Sequence, residues 1–581
     1  MAKAPDSLTL MLTGQLPFIL IAAALLAFPI SFLLLRLYRR AMLKSMERQA
    51  GSTEDVSKPD LPPGAVPKPV ALLKIIRLQG DEALPCAPEA QTHYDRAIGA
   101  PWRAAAVYSL GGVCYAGIMA VAFLASAKIP FLPMRFLMLA WTFGWPLLLT
   151  ITLVAGSTAR IKTMLALAYF GGWGLLGVVT LARNPAFSVK DMVNLWWSLN
   201  LIPTALVLAY LTRPVRAVGP MVLTFLVIAI SGAVTGVELV GRNEPLLRSI
   251  AGFGFSLGLG GTGVFVGLYL MGFAAFGALG WPLVQWIRAG YEWKKISDQS
   301  LIMDSLWLLF GIVHSIGLSF EGAAWIASGL VAFLAYKVAV AIGFSIAQGP
   351  IRISGGKLLM LRVFSLGKRS EKLFDTFGTH WRYIGSMQMI AGPDLATTTI
   401  EPHEFLQFLT GKLARRFIDS HAILKQRLSE MDLKPDRDWR FRVNDFFCFA
   451  DTWKMVLDRL VLESDGVLMD LRSFSRKRAG CIFEITELIS SVSLDRAVFI
   501  VDTTTDEPFL RQTIQQAWND LRPNSPNYSS PNPSLRLFHY AGPKSQDNLL
   551  RAVCAATFPS VSPSPGANAD RVDSGLRTGP D

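Results

Sequence analysis

Between Leu16 and Ala347 the chain returns repeatedly to apolar runs of about twenty residues, each long enough to cross a hydrocarbon layer ~30 Å thick. Lipid offers the backbone no hydrogen bonds, so unbroken apolar runs of this length must satisfy their own amides as helices. The runs fall near 16–37, 104–127, 134–156, 163–182, 194–212, 219–240, 250–286, 302–320 and 323–347. They predict about nine helices, with eight or ten also compatible, because 250–286 has room for one tilted helix or two short ones. A hydrophobic share of 51%, a charged share of 17% and a mean hydropathy of +0.38 exclude a soluble enzyme. After Gly349 the composition becomes that of an ordinary globular domain, long enough to bury one core. The expected fold is therefore an all-α polytopic membrane domain followed by an α/β domain with a doubly wound parallel sheet.

Charge orients this arrangement. Arg36, Arg39, Arg40, Lys44 and Arg48 follow the first run directly, whereas one lysine precedes it. By the positive-inside rule the N-terminus lies outside, residues 38–102 lie in the cytoplasm, and the protein belongs to the cell's inner (plasma) membrane. The expected segments are an N-terminal helix with its basic flank (1–49), a linker (50–101), a multi-span block (102–349), an α/β domain (350–545) and a helix end with a disordered tail (546–581). Within the linker, 70–78 (VALLKIIRL) either lies on the inner leaflet or docks against the protein's own cytosolic domain. The net charge of +13 is spread over loops, with no Lys/Arg tract interleaved with aromatics. This excludes nucleic acid as a partner and points to the lipid bilayer. The five cysteines show no CxxC spacing and fit a reducing cytosol, and no metal site is expected.

Two features of the membrane block carry chemistry. The glycine-dense stretch 252–280 lets helices approach closely, or breaks a helix to expose backbone to a ligand. Asp304 and Lys337 are the ionisable residues nearest membrane depth, with His314 and Glu238 beside them, and an intramembrane charge motivates a transport reading.

In the tail, short apolar runs alternate with helical periods, the pattern of a parallel sheet. The runs are 357–365, 385–390, the stretch ending at Asp470, 496–502 and 535–541; a helical segment is expected over 402–431. Asp502 and Asp506 are expected to act as caps, and Asp394 to serve a turn. The most informative pair is the strand ending at Asp470 and the helix opened by Gly480-Cys481-Ile482-Phe483-Glu484. Ligands of open α/β sheets sit past the carboxyl ends of strands, where both acids fall.

Strand-Asp, loop, then Gly-Cys-x-x-Glu-x-x-x-Leu is similar to two α/β groups, the Toll/interleukin-receptor (TIR) domain and the nucleoside 2-deoxyribosyltransferases. Gly480 and Glu484-Ile485 match the second in spacing, Cys481 and Glu484 the first. The resemblance covers roughly 357–541 and is close only over 465–488. It departs at the first strand, which ends Arg362-Val-Phe-Ser365 without the polar loop usual in TIR domains. What it implies is a flavodoxin/TIR-like domain in which Glu484 breaks the N-glycosidic bond of NAD or a nucleoside, as nucleophile or stabiliser. Asp470 would orient a ribose hydroxyl. Arg472, Arg476, Lys477 and Arg478 would neutralise phosphates, and Arg362 and Ser365 would complete the pocket. Simpler roles compete: a glutamate in a helix's first turn answers the macrodipole, and a basic run is commonly a solvated face. The function expected is a membrane-anchored effector or sensor whose tail binds a nucleotide and cleaves NAD, with no resident cofactor required. The alternatives are a non-enzymatic module that self-associates, as a homo-oligomer, and a nucleotide-gated transporter or channel.

Overall fold

The computed structural model describes residues 7–46, 71–80, 87–156, 158–183, 188–210, 215, 218–319, 321–347, 355–362, 368–391, 405, 408–409, 416–449 and 451–559. The chain divides into two units. The first comprises Met1–Ser57, Ile98–Gly355 and Gly367–Val456; the second comprises Lys58–Ala97, Gly356–Leu366 and Leu457–Asp581.

The first unit holds the apolar helices: α1 (Ser7–Met46), most of α2 (Pro88–Ser126), α3 (Pro133–Phe143), α4 (Pro146–Val154), α5 (Ala159–Arg183), α6 (Val189–Tyr210), α7 (Gly219–Arg242), α8 (Glu244–Ser256), α9 (Gly261–Glu292), α10 (Asp298–Ser319) and α11 (Ser328–Ala347). Among the described residues eight helices are long and apolar enough to cross a membrane, or nine if α3 and α4, bent by 44°, form one span. Pro146 accounts for that bend, since it has no N–H to continue the helix. The 250–286 run divides unequally. Gly258, at φ +77°, takes a conformation that side chains rarely adopt and ends the short α8, after which α9 runs for 32 residues.

The glycines of α7 and α9 serve contact. A Cβ on Gly272 would stand 2.9 Å from the Ala233 Cα, and one on Gly232 would stand 1.8 Å from the Phe276 ring. The close-packing role expected of the glycine-dense stretch is thus visible at these crossings. His314, expected as a charge near membrane depth, is a satisfied core residue, with Nδ1 2.9 Å from the Tyr115 hydroxyl and Nε2 3.2 Å from the Leu199 carbonyl. Glu238 is paired with Arg242 one turn on, at 2.7 Å.

The same unit carries α12 (Lys368–Trp381), β3 (Gly385–Ala391), β4 (Phe417–Ile418), α13 (His421–Ser429) and β5 (Val443–Cys448), with the strands parallel in the order β3–β5–β4. Where one helical segment was expected over 402–431, the described residues 405, 408 and 409 are helical, but β4 interrupts the span. Helix α13 starts only after Ser420, whose hydroxyl accepts from the Ile423 N–H at 3.4 Å. Tyr38, Met42 and Met46, at the end of α1, are buried in one cluster with Ala391, Phe417 and Phe447, so the basic end of α1 lies on the side of these strands.

The second unit is a parallel sheet with helices. Its strands are β1 (Lys74–Gln79), β2 (Gly356–Arg362), β6 (Gly466–Asp470), β7 (Ala497–Val501) and β8 (Ser534–His539), in the order β1–β8–β7–β6–β2. Every residue of β6 and β7 is buried, which is why these segments read as unbroken apolar runs and not as alternating ones. The stretch at 74–79 takes the second of its two expected roles, as an edge strand paired with β8 from Lys74↔Ser534 to Gln79↔His539. Among the described residues four helices accompany the sheet: α14 (Trp453–Glu463, begun in the first unit), α15 (Ala479–Ser491), α16 (Glu507–Asn519) and α17 (Gln546–Thr557). The last buries Leu549, Val553 and Cys554. Its Thr557 lies so near Gly466 that a Cβ there would be 2.2 Å from the hydroxyl.

Candidate functional site

The register of the second unit sets two of the sequence-predicted residues side by side. Arg362, the last residue of β2, is the lateral partner of Asp470, the last residue of β6. From Asp470 the chain turns through Leu471, Arg472 and Ser473, the last at φ +59°, and reaches α15 at Ala479.

Asp470 does not face an open cleft. It is fully buried, and Arg472 claims both of its oxygens: Oδ1 accepts from Nε at 2.8 Å and from the Arg472 backbone N–H at 3.2 Å, and Oδ2 accepts from Nη2 at 2.7 Å. Arg472, 4% exposed, lies 5.3 Å over the Tyr540 ring. Burial alone would pull its pKa down, but Asp470 and Asp502 offset this and hold it above the ordinary guanidinium value. The two residues expected to orient a ribose and to neutralise a phosphate thus neutralise each other. A fork-to-carboxylate pair fixes the loop geometry and leaves neither group for a ligand.

Glu484 differs from its expected setting in two ways. It sits in the second turn of α15, whose first turn carries no acid, so the macrodipole does not explain it. It is also 2% exposed, and its Oε2 has no hydrogen-bond partner among the described residues. Burial pushes its carboxyl up to about 8, against the opposing pull of the Arg362 guanidinium. At neutral pH Glu484 holds its proton, and a protonated acid is not a nucleophile. Arg362 is itself 4% exposed.

The remaining predicted residues spread outward. Arg476 is exposed, 5.2 Å over the Phe509 ring, and Lys477 is exposed as well. Arg478 stands at the N-cap of α15 without a side-chain capping bond. Ser365 lies outside the described residues, as does Asp394. Asp506 caps α16 as expected, accepting from the Phe509 N–H at 3.1 Å, whereas Asp502 accepts from the Thr504 N–H at 2.9 Å within the turn before that helix.

The first unit contains a second candidate place, a cavity of about 1020 Å³ among α7, α9, α10 and α11. Asp304 and Lys337 both line it, and Lys337 Nζ donates to Asp304 Oδ2 at 2.7 Å. The end of the cavity near the α9–α10 turn is polar, formed by Lys295, Ser297, Arg437 and Asp438. A buried network fastens this turn. Ser297 Oγ donates to Asp438 Oδ2 at 2.5 Å, Arg382 to Asp298 at 3.0 Å, Arg440 to Gln299 at 2.8 Å, and Arg442 to the Tyr291 carbonyl at 2.7 Å. Burial pushes the Asp436 carboxyl up to about 6, with Arg442 opposing, and burial likewise raises Asp438 against the pull of Arg440.

Sequence reasoning singled out Asp304 and Lys337 but passed over this network. The signal was the run Asp436-Arg437-Asp438-Trp439-Arg440-Phe441-Arg442, whose charges are too dense for an ordinary surface loop. No family model, curated protein or solved structure matches the chain. The TIR-like and deoxyribosyltransferase-like resemblance therefore rests on residues 465–488 alone.

Proposed function

We propose that this chain is a multi-pass protein of the inner membrane, N-terminus outside, whose α/β unit lies in the cytoplasm and serves as a sensor or assembly module without N-glycosidic chemistry. The orientation is supported by the basic end of α1 lying on the side of β3–β5. A doubly wound, flavodoxin-like sheet is supported by the strands stepping outward from β2 through β6 and β7 to β8 in chain order.

One observation carries the non-enzymatic reading. The acid best placed to attack a sugar, Glu484, is 2% exposed and titrates near 8, while its expected helper Asp470 is consumed by Arg472. A glycosidase needs an ionised carboxylate that reaches the anomeric carbon. The test uses the full chain in lipid nanodiscs, and again clustered on vesicles, incubated with NAD. Nicotinamide release at the rate of a protein-free blank is expected, both for the wild type and for Glu484→Gln. Release by the wild type that Glu484→Gln abolishes would restore the enzymatic reading. Saturable NAD binding without turnover would make the module a nucleotide sensor, and self-association without binding would make it an assembly unit.

A transport reading has its own support in the Asp304–Lys337 pair on the cavity wall. It expects ligand-dependent flux in vesicles, altered by Lys337→Met.

A further inference from the structure

We propose that the membrane-unit cavity is a binding site for one anionic phospholipid, held by Lys295 and Arg437 at its polar end. Such a site lies outside the α/β unit and does not depend on that unit's role.

Along α10 the cavity lining runs from Ser297 to Ile312, a rise of about 22 Å. That is most of a hydrocarbon core of ~30 Å, so the cavity extends from a polar end to well inside the apolar layer. Its deeper wall is aliphatic and aromatic, with Val227, Ile228, Ile312 and Phe333. An amphiphile with its head at the α9–α10 turn and its chain along α10 matches this gradient.

Charge then selects the head. Among the described residues five charged side chains line the cavity: Lys295, Asp304, Lys337, Arg437 and Asp438. Asp304 and Lys337 satisfy each other. Asp438 is taken up by the Ser297 hydroxyl and the Arg440 backbone N–H. This leaves two cations, and neither has an acid partner among the described residues. Lys295 lies 5.0 Å over the Trp293 ring, and both it and Arg437 are exposed at the polar end. An indole at such a boundary is typical of the headgroup level. Two unneutralised cations beside it fit a phosphate head of net negative charge better than a zwitterionic one, whose own ammonium would meet them.

The experiment uses the full chain in detergent with equimolar phosphatidylglycerol and phosphatidylcholine, reading retained lipid by native mass spectrometry. One phosphatidylglycerol per chain should be retained in preference to phosphatidylcholine. Lys295→Gln with Arg437→Gln should erase that preference by about 30-fold, the weight of two interfacial cations. Arg160→Gln with Lys162→Gln, on α5 away from the cavity, should leave it unchanged. An unaltered elution volume shows that the variants fold. Val227→Trp, which fills the aliphatic wall and keeps both cations, should lower retention of the bound lipid. Equal retention of the two lipids by the wild type would overturn the proposal. So would an undiminished preference in the Lys295/Arg437 variant, or oleate displacing phosphatidylglycerol at equal concentration, since a carboxylate would then serve as well as a phosphate.

Discussion

A carboxyl group that is 2% exposed and titrates near 8 binds its proton more tightly in the folded chain than in the unfolded one, where an ordinary glutamate titrates near 4.5. For Glu484 the folded pKa is the raised one, so its contribution to stability is intact below about 4.5 and is lost as pH rises through about 8. Thermal unfolding of the purified protein should therefore show a midpoint that falls between pH 5 and pH 8, by an amount worth up to several kcal/mol. Glu484→Gln should flatten that slope, because a neutral amide of the same shape never has to ionise. A wild-type midpoint independent of pH over this window would mean that the carboxyl is solvated and the site open. The burial was legible in retrospect. Cys481, Glu484, Ile485 and Leu488 recur at i, i+3, i+4 and i+7, which puts Glu484 on the apolar stripe of its helix. What no spacing rule reveals is that Arg472, two residues past Asp470, folds back on it.

At the level of elements, the glycines of α7 and α9 divide into those that meet a neighbour and those that do not. Gly272 packs against the Ala233 backbone, whereas a Cβ on Gly267 would meet nothing within 4 Å. Gly272→Val should destabilise the pair by about 1–3 kcal/mol through overpacking, with Gly267→Val close to neutral, as read by thermal unfolding in detergent. Equal effects would show that backbone freedom, and not contact, is what α9 requires of glycine. The loop of residues 432–442 acts on α9 and α10 by hydrogen bonds instead of packing. Arg442, 8% exposed, is paired with Asp436 and lies 3.9 Å over the Tyr291 ring while donating to the Tyr291 carbonyl. Arg442→Ala leaves Asp436 buried without its partner and should be destabilising by about 3–5 kcal/mol. Hydrogen exchange over residues 291–297 should rise with it, while the α5 amides stay protected; unchanged exchange there would remove Arg442 as the fastener of that turn.

For the molecule as a whole, the sequence made the membrane helices and the parallel α/β tail legible because both announce themselves through runs of apolar residues. The partition into units was not legible, since it depends on which distant segments pair. KIIRLQ reads equally well as a leaflet-bound stretch or a strand, and only the β8 partner decides between them. The second unit is consequently assembled from three separated pieces of chain, with residues before the multi-span block supplying an edge strand. The opening of α2 is involved too: His93 is stacked on Phe558 with ring centroids 3.7 Å apart, and Arg551 lies 3.9 Å over the Tyr94 ring. A tail fragment of residues 350–581 lacks β1 and the opening of α2. It would expose the ladder edge of β8, which invites strand addition by another chain. It would also uncover Phe417 and Phe447, which α1 otherwise covers. Expressed alone, this fragment should elute as aggregates, and fusing residues 71–97 ahead of it should raise both its soluble yield and its unfolding temperature. Substituting Ile76→Pro in the fused segment should cancel most of the gain, because proline removes an N–H from the ladder with β8. If the bare fragment is monomeric and unfolds at the same temperature with or without residues 71–97, β1 is an accessory to the sheet and not one of its members.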